Sequence, residues 1–143
     1  MQGSLGRGAF GLEINFFWSS FFMKFDTVKY VGIVGSRRRR CEHEVRELVR
    51  SLPRNVVVIS GGAKGPDNWA IDEAKKLGIK TIVLRPKKRG PGYGWACRAY
   101  TERNRKIADS VEILFAFVAS DRRGGTEQTI KFAKRNGVKV VLC

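Results

Sequence analysis

The chain has 143 residues, 43% of them hydrophobic, with Lys+Arg 28, Asp+Glu 13 and a formal net charge of +15. One domain's length of chain at that apolar content can bury a core without metals or disulfides, which excludes both a disordered tail and a stapled mini-protein. The positive excess draws anions such as nucleotides and nucleic acids, and the acids are too few to neutralise it in the ion-pair networks of a thermophile's surface.

Residues 1–22 stand apart. A Gly-rich stretch, MQGSLGRGAFG, leads into the aromatic, nearly uncharged LEINFFWSSFF, and only Arg7 and Glu13 carry charge. The apolar run 14–22 holds two serines and an asparagine and is too short to span a bilayer. With Glu13 beside it and no small-residue cleavage site, it is also a poor signal peptide. Residues 1–22 are therefore expected to be an extension outside the core, with Met23 as the natural start and 23–143 as a single domain. Aromatics of this kind need cover from the domain or a partner.

From residue 28 strands and helices alternate. VKYVGIV (28–34) is a β-branched run ending at Gly35. Val45, Leu48, Val49 and Leu52 fall at i, i+3, i+4, i+7, one face of a helix closed by Pro53. VVVIS (56–60) runs into Gly61 and Gly62. Trp69, Ala70, Ala74 and Leu77 line a second helix, with Gly78 as its stop. KTIVL (80–84) precedes a basic Gly/Pro loop, 85–94. A third helix spans 99–109, with Ile107 and Ala108 inward, and EILFAFV (112–118) is the fourth strand. A fourth helix spans 125–136, with Ile130 and Ala133 inward and Gly137 as its stop, before VKVVL (138–142). Strands apolar on both faces and separated by helices predict an α/β fold, a Rossmann-like doubly wound parallel sheet of order 3-2-1-4-5. Ligands of such sheets sit beyond the carboxyl ends of the strands where strand order reverses, here between strands one and four.

All the strand-to-helix loops open at that edge. They hold Gly35, Ser36 and Arg37; the stretch 60–67 with Gly61, Gly62, Ala63, Lys64 and Asp67; the basic stretch 85–91; and 120–126 with Gly124, Gly125 and Thr126. Glycines let backbone N–H groups approach a phosphate, and a following helix adds its positive end. Residues 37–40, Lys64, 87–89, Arg122 and Arg123 surround the loops with positive charge. Known nucleotide fingerprints are missing: G-x-G-x-x-G would need glycine where Arg37 stands, and GGAKGPD lacks the G-K-[ST] ending of a P-loop. Neither an NAD oxidoreductase nor a P-loop ATPase is expected, and no cofactor is predicted. His43, the sole histidine, reads as a solvated residue near a helix start. Cys41, Cys97 and Cys143 form no C-x-x-C, Cys41 and His43 alone make no metal site, and an odd number of thiols fits a reducing, cytoplasmic setting.

G-S-R after strand one, S-G-G-A-x-G-x-D after strand two, E-R-N before strand four and G-T-x-x-T-I after it resemble, over residues 28–142, the SLOG superfamily and its small YspA/YpsA-related members. The resemblance implies a Rossmann-like fold and a nucleotide or nucleotide-derived ligand. Its site would be built from Gly35, Ser36, Arg37, Gly61, Gly62, Ala63, Asp67, Arg103, Asn104, Gly125 and Thr126. Gly61, Gly62 and the helix starting near Pro66 would cradle one phosphate. Gly125 and Thr126 would hold a second phosphate or a ribose. Asp67 is either a helix cap or a sugar-hydroxyl acceptor. Asn104 is a ligand contact or a buried amide satisfied by loop backbone, and Arg103 a phosphate contact or a solvated helix arginine.

Two relatives within the superfamily imply different functions. The Lonely Guy phosphoribohydrolases resemble E-R-N (102–104) and Gly125-Thr126, but Thr129 stands at the position of their catalytic glutamate. A threonine cannot do a carboxylate's acid–base work, so a binder or sensor is expected rather than a hydrolase. The DNA-processing protein A family has a similar S-G-G-A-x-G-x-D loop and implies single-stranded DNA as the alternative ligand. Trp95, Tyr93 and Tyr100 beside the basic loop would then stack bases, or else pack the loop onto the domain. A third reading is a non-catalytic assembly protein, with 1–22 as a docking arm. A second copy of the chain is the expected protein partner, and no membrane is expected.

Overall fold

A computed structural model describes residues 28–143; the expectations about residues 1–22 and Met23 lie outside them. The elements follow in strict alternation: β1 Tyr30–Gly35, α1 Glu42–Ser51, β2 Val57–Ser60, α2 Pro66–Lys76, β3 Lys80–Val83, α3 Tyr93–Ser110, β4 Ile113–Phe117, α4 Gly125–Arg135 and β5 Lys139–Leu142. All four strand pairings are parallel, and the sheet order is β3-β2-β1-β4-β5, as predicted.

Side chains of the inner strands alternate between two cores. Val31, Ile33, Val58, Phe115 and Phe117 face α1 and α2. Val34, Val57, Ile59, Leu114 and Ala116 face α3 and α4. Burial on both faces explains why β1 and β4 read as unbroken apolar runs. The edge strands β3 and β5 instead leave Ile82 and Leu142 exposed.

Helix ends follow local chemistry. Leu52, held extended at ψ 147° by the following Pro53, closes α1. Both α2 and α4 end in a Schellman turn: Ile79 N–H reaches Ala74 O at 2.9 Å, and Val138 N–H reaches Ala133 O at 2.9 Å. The third helix differs from expectation. It starts at Tyr93, two turns before residue 99, so the basic loop is shorter than predicted. No helix among the described residues is long and apolar enough to cross a membrane.

Candidate functional site

At the carboxyl edge of the sheet, β1 and β4 stay zipped one residue past the strands, through Ser36 N–H to Phe117 O at 3.0 Å. This is the point where strand order reverses, and the loops after β1, β2 and β4 meet around it. Gly65 of the second loop lies against Arg37 of the first: a Cβ there would sit 3.4 Å from Arg37 Cα. Arg38 and Asp121 join the first loop to the fourth by a bidentate pair, with bonds of 2.7 and 2.8 Å.

Beneath the loops runs a buried polar network. Asp67, in the first turn of α2, accepts from Gly35 N–H (3.2 Å), Gly61 N–H (3.1 Å) and Ala63 N–H (3.4 Å). Gly65 holds the cap position of α2, so Asp67 is not the helix cap but ties two loops together. Arg103 is buried as well. Its Nη1 donates to Gly61 O (2.7 Å) and Leu84 O (3.3 Å), and its Nε to Asn104 Oδ1 (2.9 Å). Asn104 in turn donates to Gln128 Oε1 (2.8 Å) and Gly125 O (3.4 Å), and Gln128 donates to Thr101 (3.2 Å). One chain of bonds thus sets the positions of Gly35, Gly61, Ala63 and Gly125.

Glycine is required at the centre of this arrangement. A Cβ on Gly61 would collide with the Arg103 guanidinium. Gly62 adopts φ +73°, and a Cβ there would meet Arg85 Nη1 at 2.7 Å. Arg85, from the basic loop, also approaches Gly62 O at 3.4 Å.

The predicted residues divide into two sets. Gly35, Gly61, Asp67, Arg103, Asn104 and Thr126 are buried, and Ser36, Gly62 and Ala63 are half-buried. Arg37, Lys64, Gly124 and Gly125 form the exposed rim. Thr126 and Gly125 occupy the first turn of α4, where N–H groups have no intrahelical acceptor. Gln128, Arg38, Asp121 and Ser60, whose hydroxyl donates to Ile33 O at 2.6 Å, were not among the residues expected to build the site.

The electrostatics favour an anion at the rim. Asp67 is committed to backbone N–H groups, Asp121 to Arg38 and Glu127 to Arg122. The Arg38 guanidinium keeps the Asp121 carboxyl below the ordinary carboxylate range. Arg37, Lys64 and Arg123 make no ion pair with any described residue. Glycine backbone, helix starts and unpaired cations therefore face the same edge.

Burial outweighs the Arg103 charge and the three N–H donors at Asp67 and pushes its carboxyl up to about 6, from 3.8. The folded state then binds more protons than the unfolded one between those values, so this group's contribution to stability falls as pH rises from about 4 to about 6 and is flat above. We expect wild type to lose up to about 3 kcal/mol relative to Asp67→Asn across that window, measured by urea unfolding at each pH. A difference independent of pH would mean that Asp67 is not held in this environment.

Thr129, at the position of the phosphoribohydrolase glutamate, is buried, and its hydroxyl bonds Gly125 O of its own helix at 2.9 Å. Glu127, the nearest carboxylate in sequence, is held by Arg122 at 2.6 and 2.9 Å.

Comparison with known proteins adds an independent line. Residues 18–143 match the family described as DNA recombination-mediator protein A. The X-ray structure of DNA processing protein A from Streptococcus pneumoniae is 23% identical, covers 84% of this chain and 52% of its own, and superposes with a TM-score of 0.69. That of DNA processing protein A from Helicobacter pylori, described for its single-stranded DNA binding mode, is 21% identical over 82% of this chain and 66% of its own, with a TM-score of 0.63. The structure of TM1055 is 17% identical over 78% of this chain and 72% of its own, with a TM-score of 0.57. At these identities the likeness is one of fold. The chain spans about half the length of the Streptococcus protein and just under two thirds of the Helicobacter one. None of the curated proteins matches it. The SLOG-type likeness carried by the loop motifs agrees with these matches.

Proposed function

This chain belongs to the DNA recombination-mediator protein A family, and from that premise we propose that it binds single-stranded DNA through phosphates seated on the Gly-rich loops at the carboxyl edge of its sheet. The observation that carries this reading is the pairing pattern at the rim. Every acid there is engaged, whereas Arg37, Lys64 and Arg123 are unpaired among the described residues. Lys87, Lys88 and Arg89 extend the same field from the neighbouring loop.

Exposed rings beside that loop favour a strand over a lone nucleotide. Tyr93 is 85% exposed, Tyr100 50% and Trp95 37%. The Arg98 guanidinium lies 5.3 Å from the Trp95 ring centre, and that of Arg103 lies 5.4 Å from Tyr100. Flat π-faces interleaved with cations suit successive unpaired bases whatever their sequence. A second reading, a nucleotide-derived small ligand on the same loops, is favoured by Gly61 and Gly62 lying just before the start of α2. Base cleavage is not proposed, because Thr129 and Glu127 are both engaged elsewhere.

The test is fluorescence anisotropy of a labelled oligothymidylate across a salt series. Each of Arg37→Ala, Lys64→Ala and Arg123→Ala should weaken binding and lower the slope of log K against log salt by about 0.7, the value for one phosphate contact on a single strand. Unchanged slopes would remove the phosphates from this rim. A melting-temperature rise with one mononucleotide, and none with the oligomer, would support the second reading instead.

A further inference from the structure

The excess charge is not spread evenly over the two helical layers. Helices α1 and α2 together carry six acids and four bases, and α3 and α4 carry three acids and seven bases. On the first layer three of the four cations are paired: Lys76 lies 3.4 Å from Asp72, and the two arginines are held by several acids. Arg46 bonds Glu42, Asp72 and Glu73, and Arg50 bonds Glu73 and approaches Glu47. On the second layer Arg105, Lys106, Lys131, Lys134 and Arg135 make no ion pair with any described residue. Net charge for solubility alone would not pair most cations of one layer and leave five of the other unpaired among the described residues.

The second layer also has relief. A groove of about 460 Å³ starts at Arg122, Arg123 and Gly124, the rim loop of the candidate site, and follows α4 past Lys131 to Arg135. Half-buried Phe132 lines it, and Arg105 of α3 stacks on that ring at 4.9 Å from its centre. The 11 residues of α4 run about 16 Å, long enough to meet more than one phosphate of an extended strand.

We propose that this α4 groove is a second polyanion-binding surface, which takes up the continuation of a DNA strand whose phosphates sit on the rim loops. The inference rests on the single-stranded DNA reading above and adds a direction: the strand leaves the sheet edge at Gly124 and descends α4. Lys131 and Arg135, one turn apart on the same face, meet its phosphates. Phe132 and Arg105 give a base or sugar a flat apolar patch.

Two oligothymidylates separate this surface from the rim, one of about five nucleotides and one of about twenty-five. In the double variant Lys131→Gln/Arg135→Gln, affinity for the long oligomer should fall about tenfold and its salt slope by about 1.4, while the short one binds as to wild type. In Gly62→Asp the short oligomer should be lost, while the long one keeps weak, salt-sensitive binding. Both side chains are exposed, so the double variant should melt with wild type. Equal losses for the two lengths would mean that these charges act only as a distant field, and no loss for either that the groove is unused; each overturns the inference and leaves the rim reading standing. Failure of wild type to bind either oligomer would overturn both.

Discussion

Arg103→Met should cost the domain about 3–5 kcal/mol, the loss expected when a buried, hydrogen-bonded charge is removed and its acceptors are left unsatisfied. Arg103, a residue 9% exposed in the folded chain, donates to Gly61 O, Leu84 O and Asn104 Oδ1 at once. Methionine fills much of its volume but leaves those acceptors dry and removes a nearby positive charge that holds the Asp67 carboxyl down. For a domain of this size the melting temperature should drop by about 10–20 °C in a calorimetric scan. Because the two side chains belong to one network, adding Asp67→Asn to Arg103→Met should cost less than the sum of the single changes, by about 0.5–3 kcal/mol. A fall of under 2 °C would describe an arginine on the surface, which is incompatible with its three bonds.

The second large effect is on binding. Gly62→Asp should weaken single-stranded DNA at least a hundredfold in the rim-limited, short-oligomer assay, because like charges brought together at an interface cost several kcal/mol. Gly62→Ala separates charge from backbone. It carries the same φ of +73° and the same crowding against Arg85 and Val83, yet adds no anion. It should lose binding only severalfold and should melt within a few degrees of the aspartate variant. If alanine and aspartate were equally damaging, the loop would be failing for its shape, and no phosphate would need to sit on it. If aspartate bound within threefold of wild type, the phosphate seat would lie elsewhere.

Much of this fold was legible because a parallel sheet buried on both faces writes itself as apolar runs: VKYVGIV and EILFAFV are β1 and β4 nearly to the residue. The start of α3 was not legible. Tyr93, Gly94, Trp95, Cys97 and Arg98 are exposed and Ala96 is only half-buried, so no stripe faces the core before Ala99, while Pro91, Gly92 and Gly94 signal a loop. At the site, the Gly-rich loops were visible as composition, but what holds them was not. A helical repeat says that Arg103 and Gln128 point somewhere. Only the sheet order places Arg103 under Gly61 and Gln128 opposite Asn104. A helix cap would have Asp67 accept N–H groups of its own helix, whereas its partners are N–H groups of two loops, one of them 32 residues away.

The strand pairing at the reversal point also sets when these loops can exist. Val31 pairs with Ile113, and Arg38 reaches Asp121 across 83 residues of chain. Closing so long a loop costs entropy before any contact repays it, and sheets of non-local parallel pairs form slowly for that reason. The first two strands and their glycine turn are made early in synthesis, but their neighbour β4 arrives only after three helices have been translated. The edge where the loops meet is therefore a late product of folding, and a chain stalled before β4 would expose the apolar flank of β1 as an unpaired strand.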